Sequence, residues 1–453
     1  MRLASLILID FLSMKVMKFG GTSVGRPERM KQVAALVTQQ DVPVLVVLSA
    51  LSGTTNALVE IGNLLSAGKK QEAAQVIDQL EKHYQAFIVE IVSGKEAQEE
   101  AADVIEEHFG FLRIIQRISF SEALRRDILA QGELLSTKLF SVYCSENKLN
   151  HALLPALDFM VLDEQDEPAL SVISTRLKAL VQANADKKLL ITQGYICRNS
   201  RGEVDNLKRG GSDYTASLIA AAISASVCEI WTDIDGMHNN DPRVVGKTFP
   251  IEQLSFEEAA ELAYFGAKIL HPASIWPAQQ YQVPVRLLNT MEPTAKGTLI
   301  SSIPAASGVK AVAAKDNIIA IRIKSSRMLL AYGFLRKIFE VFEKYRTPID
   351  MITTSEVAVS LTIDTDQHLQ AILEELSPFG NVEVDREQTI VSLVGFEIAT
   401  TPAILSNLAL AVKDIPVRMI SYGGSPHNIS MLVPATAKTM LLQQLNKEIF
   451  GLS

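Results

Sequence analysis

The chain has 453 residues, 48% hydrophobic and 21% charged, with a formal net charge of −8. That length suits two to four domains, and the composition excludes disorder, a collagen-like repeat or a coiled coil as the main architecture. A mildly acidic chain with no basic block also excludes a nucleic-acid binder, whose phosphate contacts need clustered Lys and Arg, but leaves small anionic ligands open. The three cysteines, Cys144, Cys197 and Cys228, are widely spaced without a CxxC pair, which points to a reducing, cytoplasmic compartment and away from disulfides or zinc. Residues 1–12 form an apolar stretch interrupted by Asp10, with no small-residue cleavage site, and read as an over-extended start before a true beginning at Met14 or Met17. No uninterrupted apolar run of about 18 residues offers a membrane span.

In chain order, Lys15–Phe19 reads as a strand, followed by Gly20-Gly21 and a helix opening near Pro27 with Met30, Val33, Ala34 and Val37 on one face. Residues 42–48 and 189–196 read as buried parallel strands, and residues 75–150 as helix-rich. The turn-rich stretch 199–211 precedes an Ala-rich helix over 213–224 and a strand over Val227–Thr232. Ser255 and Glu258 make a capping box for a helix over 256–270, and strands over 283–289 and 297–301 close the region. Alternating strands and helices argue a three-layer α/β sandwich over residues 14–302.

After Pro304 the order becomes strand (318–324), helix (334–345), two strands (349–354, 357–363) and helix (369–377). It then recurs at 389–394, 403–412, 417–421, 429–433 and 438–449. Matching Ile352 with Ile420 gives an offset of 68 residues. This predicts two ferredoxin-like βαββαβ modules, about 315–384 and 385–453, in a regulatory region spanning 304–453. Such modules expose sheet edges that pair between chains, so at least a homodimer is expected through them.

The chemistry sits at strand ends and helix starts. Lys18-Phe19-Gly20-Gly21-Thr22-Ser23 offers a point charge and backbone N–H groups to a phosphate, although a Gly-Gly turn after a strand is also ordinary. Lys208-Arg209-Gly210-Gly211-Ser212-Asp213 opens a helix whose N–H groups suit an anion; Arg209 has a planar fork for a carboxylate that a plain cap does not need. Neither a Walker A loop nor GxGxxG is present. Thr232-Asp233-Ile234-Asp235-Gly236 with Asp241-Pro242-Arg243 follows a strand end, where open parallel sheets bind ligands, but is also turn chemistry. His271 beside Pro272 reads as structural.

Together KFGGTSV (18–24), SALSGTTN (49–56), QGE (131–133), RGGSDYTA (209–216), TDIDG (232–236), DPR (241–243) and GAKILHP (266–272) resemble aspartate kinase, of the amino-acid-kinase superfamily. GFLRKIF (333–339) and PIDMITTSEVAVSLTID (348–364) resemble the first ACT module of its monofunctional, lysine-sensitive type. The resemblance runs from Met14 to the C-terminus and implies a kinase sandwich with two ACT modules. It also implies ATP-dependent phosphorylation of the β-carboxylate of L-aspartate, with Mg2+ on the nucleotide. Carried over, Lys18 and Asp213 are catalytic, and Ser49, Thr55, Glu133, Arg209 and Ser212 bind aspartate, with Glu133 on its ammonium and Arg209 on a carboxylate. Lys18, Gly20, Gly21, Thr232, Asp233, His238, Arg243, Lys268 and Ile269 hold ATP. Met328, Gly333, Phe334, Leu335, Asp350 and Ser355 match an allosteric L-lysine site, with Asp350 at a strand start facing the ligand ammonium.

The sequence departs from the family pattern at His238, where an aromatic tyrosine-like residue is usual, at 205–208, which adds charge before the substrate loop, and at Cys197-Arg198, which replaces a Gly-Gly-like turn. Two other readings stand beside this one: a related kinase acting on glutamate, carbamate or a nucleotide, and a catalytically dead amino-acid sensor. The presence of Lys18, Arg209 and Asp213 argues against the sensor.

Overall fold

The computed structural model describes residues 11–207, 210–266, 270–303, 307–325 and 332–452. They pack into two units, Met1–Gly236 with Leu270–Ser302, and Met237–Ile269 with Ile303–Ser453.

In the first unit the strands run in the order His151–Leu153, Leu189–Gln193, Val44–Leu48, Lys15–Phe19, Val227–Thr232, Val285–Asn289, Thr298–Ser301. All neighbours are parallel except the last pair. Val44–Leu48 is buried at every position, as expected where helices cover both faces and no side chain can remain polar. Lys15–Phe19 lies mid-sheet, with Lys18 opposite Val47 on one side and Ile230 on the other. The helix-rich stretch is three long helices, Lys70–Ile91, Lys95–Arg117 and Glu122–Glu146, whose Tyr84, Phe109 and Phe140 join the core under that sheet. The strand expected over 189–196 breaks after Gln193. A Cβ on Gly194 would stand 2.2 Å from Ser212 Oγ, and Tyr195 takes φ +66, so the chain turns and resumes as Ile196–Arg198, paired antiparallel with Val204–Asn206.

The second unit holds an antiparallel sheet ordered Ile352–Thr354, Ala358–Ile363, Gly308–Lys324, Asn381–Phe396, Asn428–Pro434, Met419–Ser425. Gly308–Lys324 and Asn381–Phe396 are far longer than the alternation suggested, and they pair along most of their length with a register shift between Lys315 and Ile318. One half belongs to a core of Ile321, Ile338, Phe342 and Leu361, the other to a core of Leu393, Leu408, Met431 and Leu445. The modules are therefore interleaved: residues 308–315, ahead of the first module, supply a strand to the second. Segment 237–269, which the sequence reading assigned to the kinase region, also groups here. Val245 enters the second core, and Val312 N–H donates to Asn239 O at 2.8 Å. Both bonds of the Ser255/Glu258 capping box form. Its helix, Phe256–Tyr264, ends earlier than expected because Gly266 takes φ +123 against the Ala314 carbonyl, to which a Cβ would approach within 2.1 Å.

Candidate active site

At the carboxyl end of Lys15–Phe19 the chain enters a turn where added side chains would crowd their neighbours. A Cβ on Gly20 would lie 3.2 Å from Lys18 Nζ, and one on Gly21 would lie 3.0 Å from Ala50 O. Lys18 Nζ stands 2.6 Å from Asp213 Oδ1, with only 11% and 18% of the two side chains exposed. Asp213 lies in the first turn of helix Gly211–Ile223, which Gly210 opens at φ +65. First-turn N–H groups have no intrahelical acceptor, so this end presents donors and a partial positive charge to an anion. Ser212 packs against Gly194 and accepts from Ser49 Oγ at 2.8 Å.

The loop after Val44–Leu48 joins this corner to a carboxylate. Glu133 on helix Glu122–Glu146 is 4% exposed, and its Oε1 accepts from Ala50 N–H at 3.3 Å. Burial pushes its carboxyl up to about 7, a rise that the Ala50 N–H only partly offsets. The missing Cβ of Gly132, which would come within 2.7 Å of Ala50 Cβ, lets that helix lie against the loop. Thr54 is buried on the Tyr84 hydroxyl, 3.0 Å away, whereas Thr55 beside it is exposed. Lys18, Gly20, Gly21, Ser49, Glu133, Ser212 and Asp213 thus come together around residues 49–55. Gly194 was missed in the sequence because it sat inside an apparent strand, although a glycine there was the available signal.

Thr232 and Asp233 follow the end of Val227–Thr232, with Thr232 Oγ1 donating to Asp233 Oδ1 at 3.2 Å. His238 and Arg243 fall in the second unit. His238 Nδ1 is 2.8 Å from Thr248 Oγ1, and the exposed Arg243 forks onto Asp241 at 2.9 and 2.8 Å, holding that carboxyl below its usual range. Arg209, Lys268, Ile269 and Met328, with Lys208, lie outside the described residues. His271 caps the short turn Pro272–Ser274 through Nδ1, a structural role. Cys197 is buried and Arg198 bonds the Leu157 and Gly202 carbonyls, so this departure from the family pattern is structurally satisfied.

In the first ACT-like module Gly333 opens helix Phe334–Lys344 at φ +77. Phe334 is a core residue set edge-on to Phe379, Leu335 is partly exposed, and Ser355 N–H bonds the Ala358 carbonyl. Asp350 differs from expectation. It precedes strand Ile352–Thr354, its side chain is 1% exposed, and its Oδ1 already accepts from Lys315 Nζ and from the Tyr264 hydroxyl, each at 2.7 Å. Neither partner is near Asp350 in sequence, which is why local pattern did not reveal them.

The amino acid kinase family model matches residues 13–289, and an ACT domain model matches residues 391–449. Lysine-sensitive aspartokinase 3 of Escherichia coli (strain K12) is 34% identical over 447 residues, covering 96% of this chain and 99% of that protein. The chloroplastic aspartokinase 3 of Arabidopsis thaliana is 36% identical, covering 92% and 78%. The E. coli aspartokinase III structure solved with aspartate and ADP superposes with a TM-score of 0.81 at 33% identity, covering 97% of this chain and 100% of that one. The same enzyme solved with lysine and aspartate gives 0.80 at 34% identity, covering 96% and 99%. The chain belongs to the aspartokinase family.

Proposed function

We propose that the protein transfers the γ-phosphoryl group of ATP to the β-carboxylate of L-aspartate, giving 4-phospho-L-aspartate and ADP. The observation that carries this reading is the buried Lys18–Asp213 pair beside the Gly20-Gly21 turn. A carboxylate nucleophile is already ionised, so the reaction needs no general base; its obstacle is bringing two anions into line. A held ammonium, open backbone donors and a helix start address that obstacle by electrostatic stabilisation and positioning. Asp213 keeps the Lys18 ammonium in place, and Ser49 and Ser212 orient aspartate with Thr55. Glu133, ionised, pairs with the substrate ammonium and Arg209 with a carboxylate. Thr232, Asp233, His238, Arg243, Lys268 and Ile269 serve the nucleotide, which enters as its magnesium complex, the ion keeping several waters.

The kinase region is read as 14–302 and the regulatory region as 304–453, with L-lysine as its effector at Gly333, Phe334, Leu335, Asp350, Ser355 and Met328. The exposed Ile352 and Ile420, on the two outer strands of the sheet, support a homo-oligomer through this region. Three cysteines that form no disulfide support a reducing, cytoplasmic setting. The test is a coupled assay with aspartate, ATP and magnesium in which hydroxylamine traps the acyl phosphate as a hydroxamate. Hydroxamate from glutamate instead of aspartate overturns the substrate. Inhibition by threonine and not by millimolar lysine overturns the effector.

A further inference from the structure

We propose that the Tyr264 hydroxyl carries effector occupancy from Asp350 to the end of helix Phe256–Tyr264; this rests on the reading of the first ACT-like module as an L-lysine site. Asp350 is the hub of a buried charge cluster. Lys315 Nζ bonds its Oδ1 at 2.7 Å and Asp364 Oδ2 at 3.0 Å, so two carboxylates share one ammonium and one negative charge is left over. The second oxygen, Asp350 Oδ2, is buried with no hydrogen-bond partner among the described residues. An acceptor left unpaired in that way is costly unless a donor arrives. One further ammonium satisfies both the oxygen and the charge.

Tyr264 is the other donor to Oδ1, reaching across 86 residues of sequence, and its ring lies 4.6 Å from the Lys315 ammonium. Burial lowers the proton affinity of Lys315, but its bonds to Asp350 and Asp364 more than reverse this, so it stays a cation. Burial and the bond to Asp350 raise the Tyr264 phenol, so it stays a neutral donor. A ligand ammonium on Oδ2 draws the shared charge of the carboxylate away from Oδ1, and of the two donors on Oδ1 the neutral hydroxyl is held less firmly than the Lys315 ammonium. Tyr264 is also the last residue of its helix. Two residues on, Gly266 leans on the carbonyl of Ala314, the neighbour of Lys315. The end of helix Phe256–Tyr264 is therefore held by the Tyr264 bond to Asp350 and, two residues on, by the close fit of Gly266 against Ala314, and effector binding loosens the first of these. Lys268, assigned above to ATP, follows four residues after Tyr264 in the sequence. By reciprocity, whatever lets lysine oppose ATP lets ATP oppose lysine.

The experiment is calorimetric titration of L-lysine into the full-length protein, with and without saturating MgATP, for the wild type and Tyr264→Phe. The variant keeps the ring and loses only the hydroxyl of a side chain already 40% exposed, so it folds. In the wild type MgATP is expected to weaken lysine binding by about fivefold or more, the usual scale of such coupling. In Tyr264→Phe that factor is expected to fall below half its wild-type size, while the Kd without ATP stays equal or becomes tighter. A coupling factor at or above half the wild-type value overturns the inference, and so does a clearly weaker Kd without ATP, which marks a merely structural tyrosine. Failure of the wild type to bind L-lysine at all overturns the effector reading and this inference with it.

Discussion

Each unit holds a buried lysine–aspartate pair of nearly the same length, Lys18–Asp213 at 2.6 Å and Lys315–Asp350 at 2.7 Å. Their surroundings are opposite. Around Lys18 stand the glycine turn and the start of helix Gly211–Ile223, both sources of backbone donors. Around Asp350 stand a second carboxylate, Asp364, sharing the same lysine, and an unpaired oxygen. The first corner surrounds a neutral pair with backbone donors and suits a phosphate; the second is left with an excess of negative charge and suits an ammonium. The sign of the ligand is set by the neighbours of the ion pair, not by the pair.

The largest expected effect breaks the first pair. Lys18→Ala and Asp213→Ala should each lower kcat by about a hundredfold or more, the usual scale for removing a preorganised charge from a phosphoryl-transfer site. Circular dichroism and thermal melting should show each variant folded. A folded Lys18→Ala enzyme with near-normal kcat removes that lysine from the site. Asp350→Ala breaks the second pair and leaves Lys315 with Asp364 alone. Half-inhibition by L-lysine should then need at least about tenfold more effector, since a hydrogen-bonded charge partner is gone. Unchanged sensitivity denies that Asp350 meets the effector.

The two corners were not equally legible in the sequence. The kinase corner lies in contiguous motifs at strand ends and helix starts, so Lys18, Gly20-Gly21, Ser212 and Asp213 could be found by local rules and then by resemblance. What local rules missed there was Gly194, whose role depends on Ser212 approaching from another element. In the two ACT-like modules, periodicity gave the helices nearly to the residue, but not the long paired strands. Of a bulged strand of 17 residues, the alternation shows only the part after the bulge, 318–324. Lys315, Tyr264 and Asp364 were invisible for a related reason: nothing in a lysine at a strand bulge or a tyrosine at a helix end announces a partner so distant in sequence. Charge clusters assembled by tertiary packing leave no period to read.

A tenfold effect sharpens the comparison through Glu133, the second carboxylate at the kinase corner after Asp213. Its carboxyl is raised to about 7, above its value in an unfolded chain near 4.5. The neutral form is therefore favoured by folding, and that contribution to stability is present at acid pH and lost as pH rises through 7. Aspartate binding has the opposite sign, because the substrate ammonium needs the ionised form. At pH 6 only about a tenth of the enzyme is ionised at Glu133, so KM for aspartate should be about tenfold higher at pH 6 than at pH 8, with KM for ATP little changed. Glu133→Gln should weaken aspartate binding at every pH and flatten the profile. A KM for aspartate equal at pH 6 and 8 in the wild type shows that the ammonium is held elsewhere.

The smallest effect tests whether the two ACT-like modules share a backbone while differing in charge. Gly333 opens the first helix of one module at φ +77, and Ala403 opens the corresponding helix of the other at φ +67. An L-residue in that region costs about 1–2 kcal/mol, while glycine there adds about 0.4–1 kcal/mol of unfolded-state entropy. Ala403→Gly should therefore stabilise the second unit by roughly 0.5–1 kcal/mol, a rise of about 1–4 °C in its Tm. It should leave lysine sensitivity alone, because the residue 68 positions after Asp350 is Arg418, whose charge repels an ammonium and which pairs with Asp385. Gly333→Ala should cost a similar amount and should also weaken lysine, since it strains the turn beside the effector. A lower Tm for Ala403→Gly denies that the two helix starts are equivalent. A change in lysine response in that variant moves the effector into the second module and undoes the contrast drawn from Asp350.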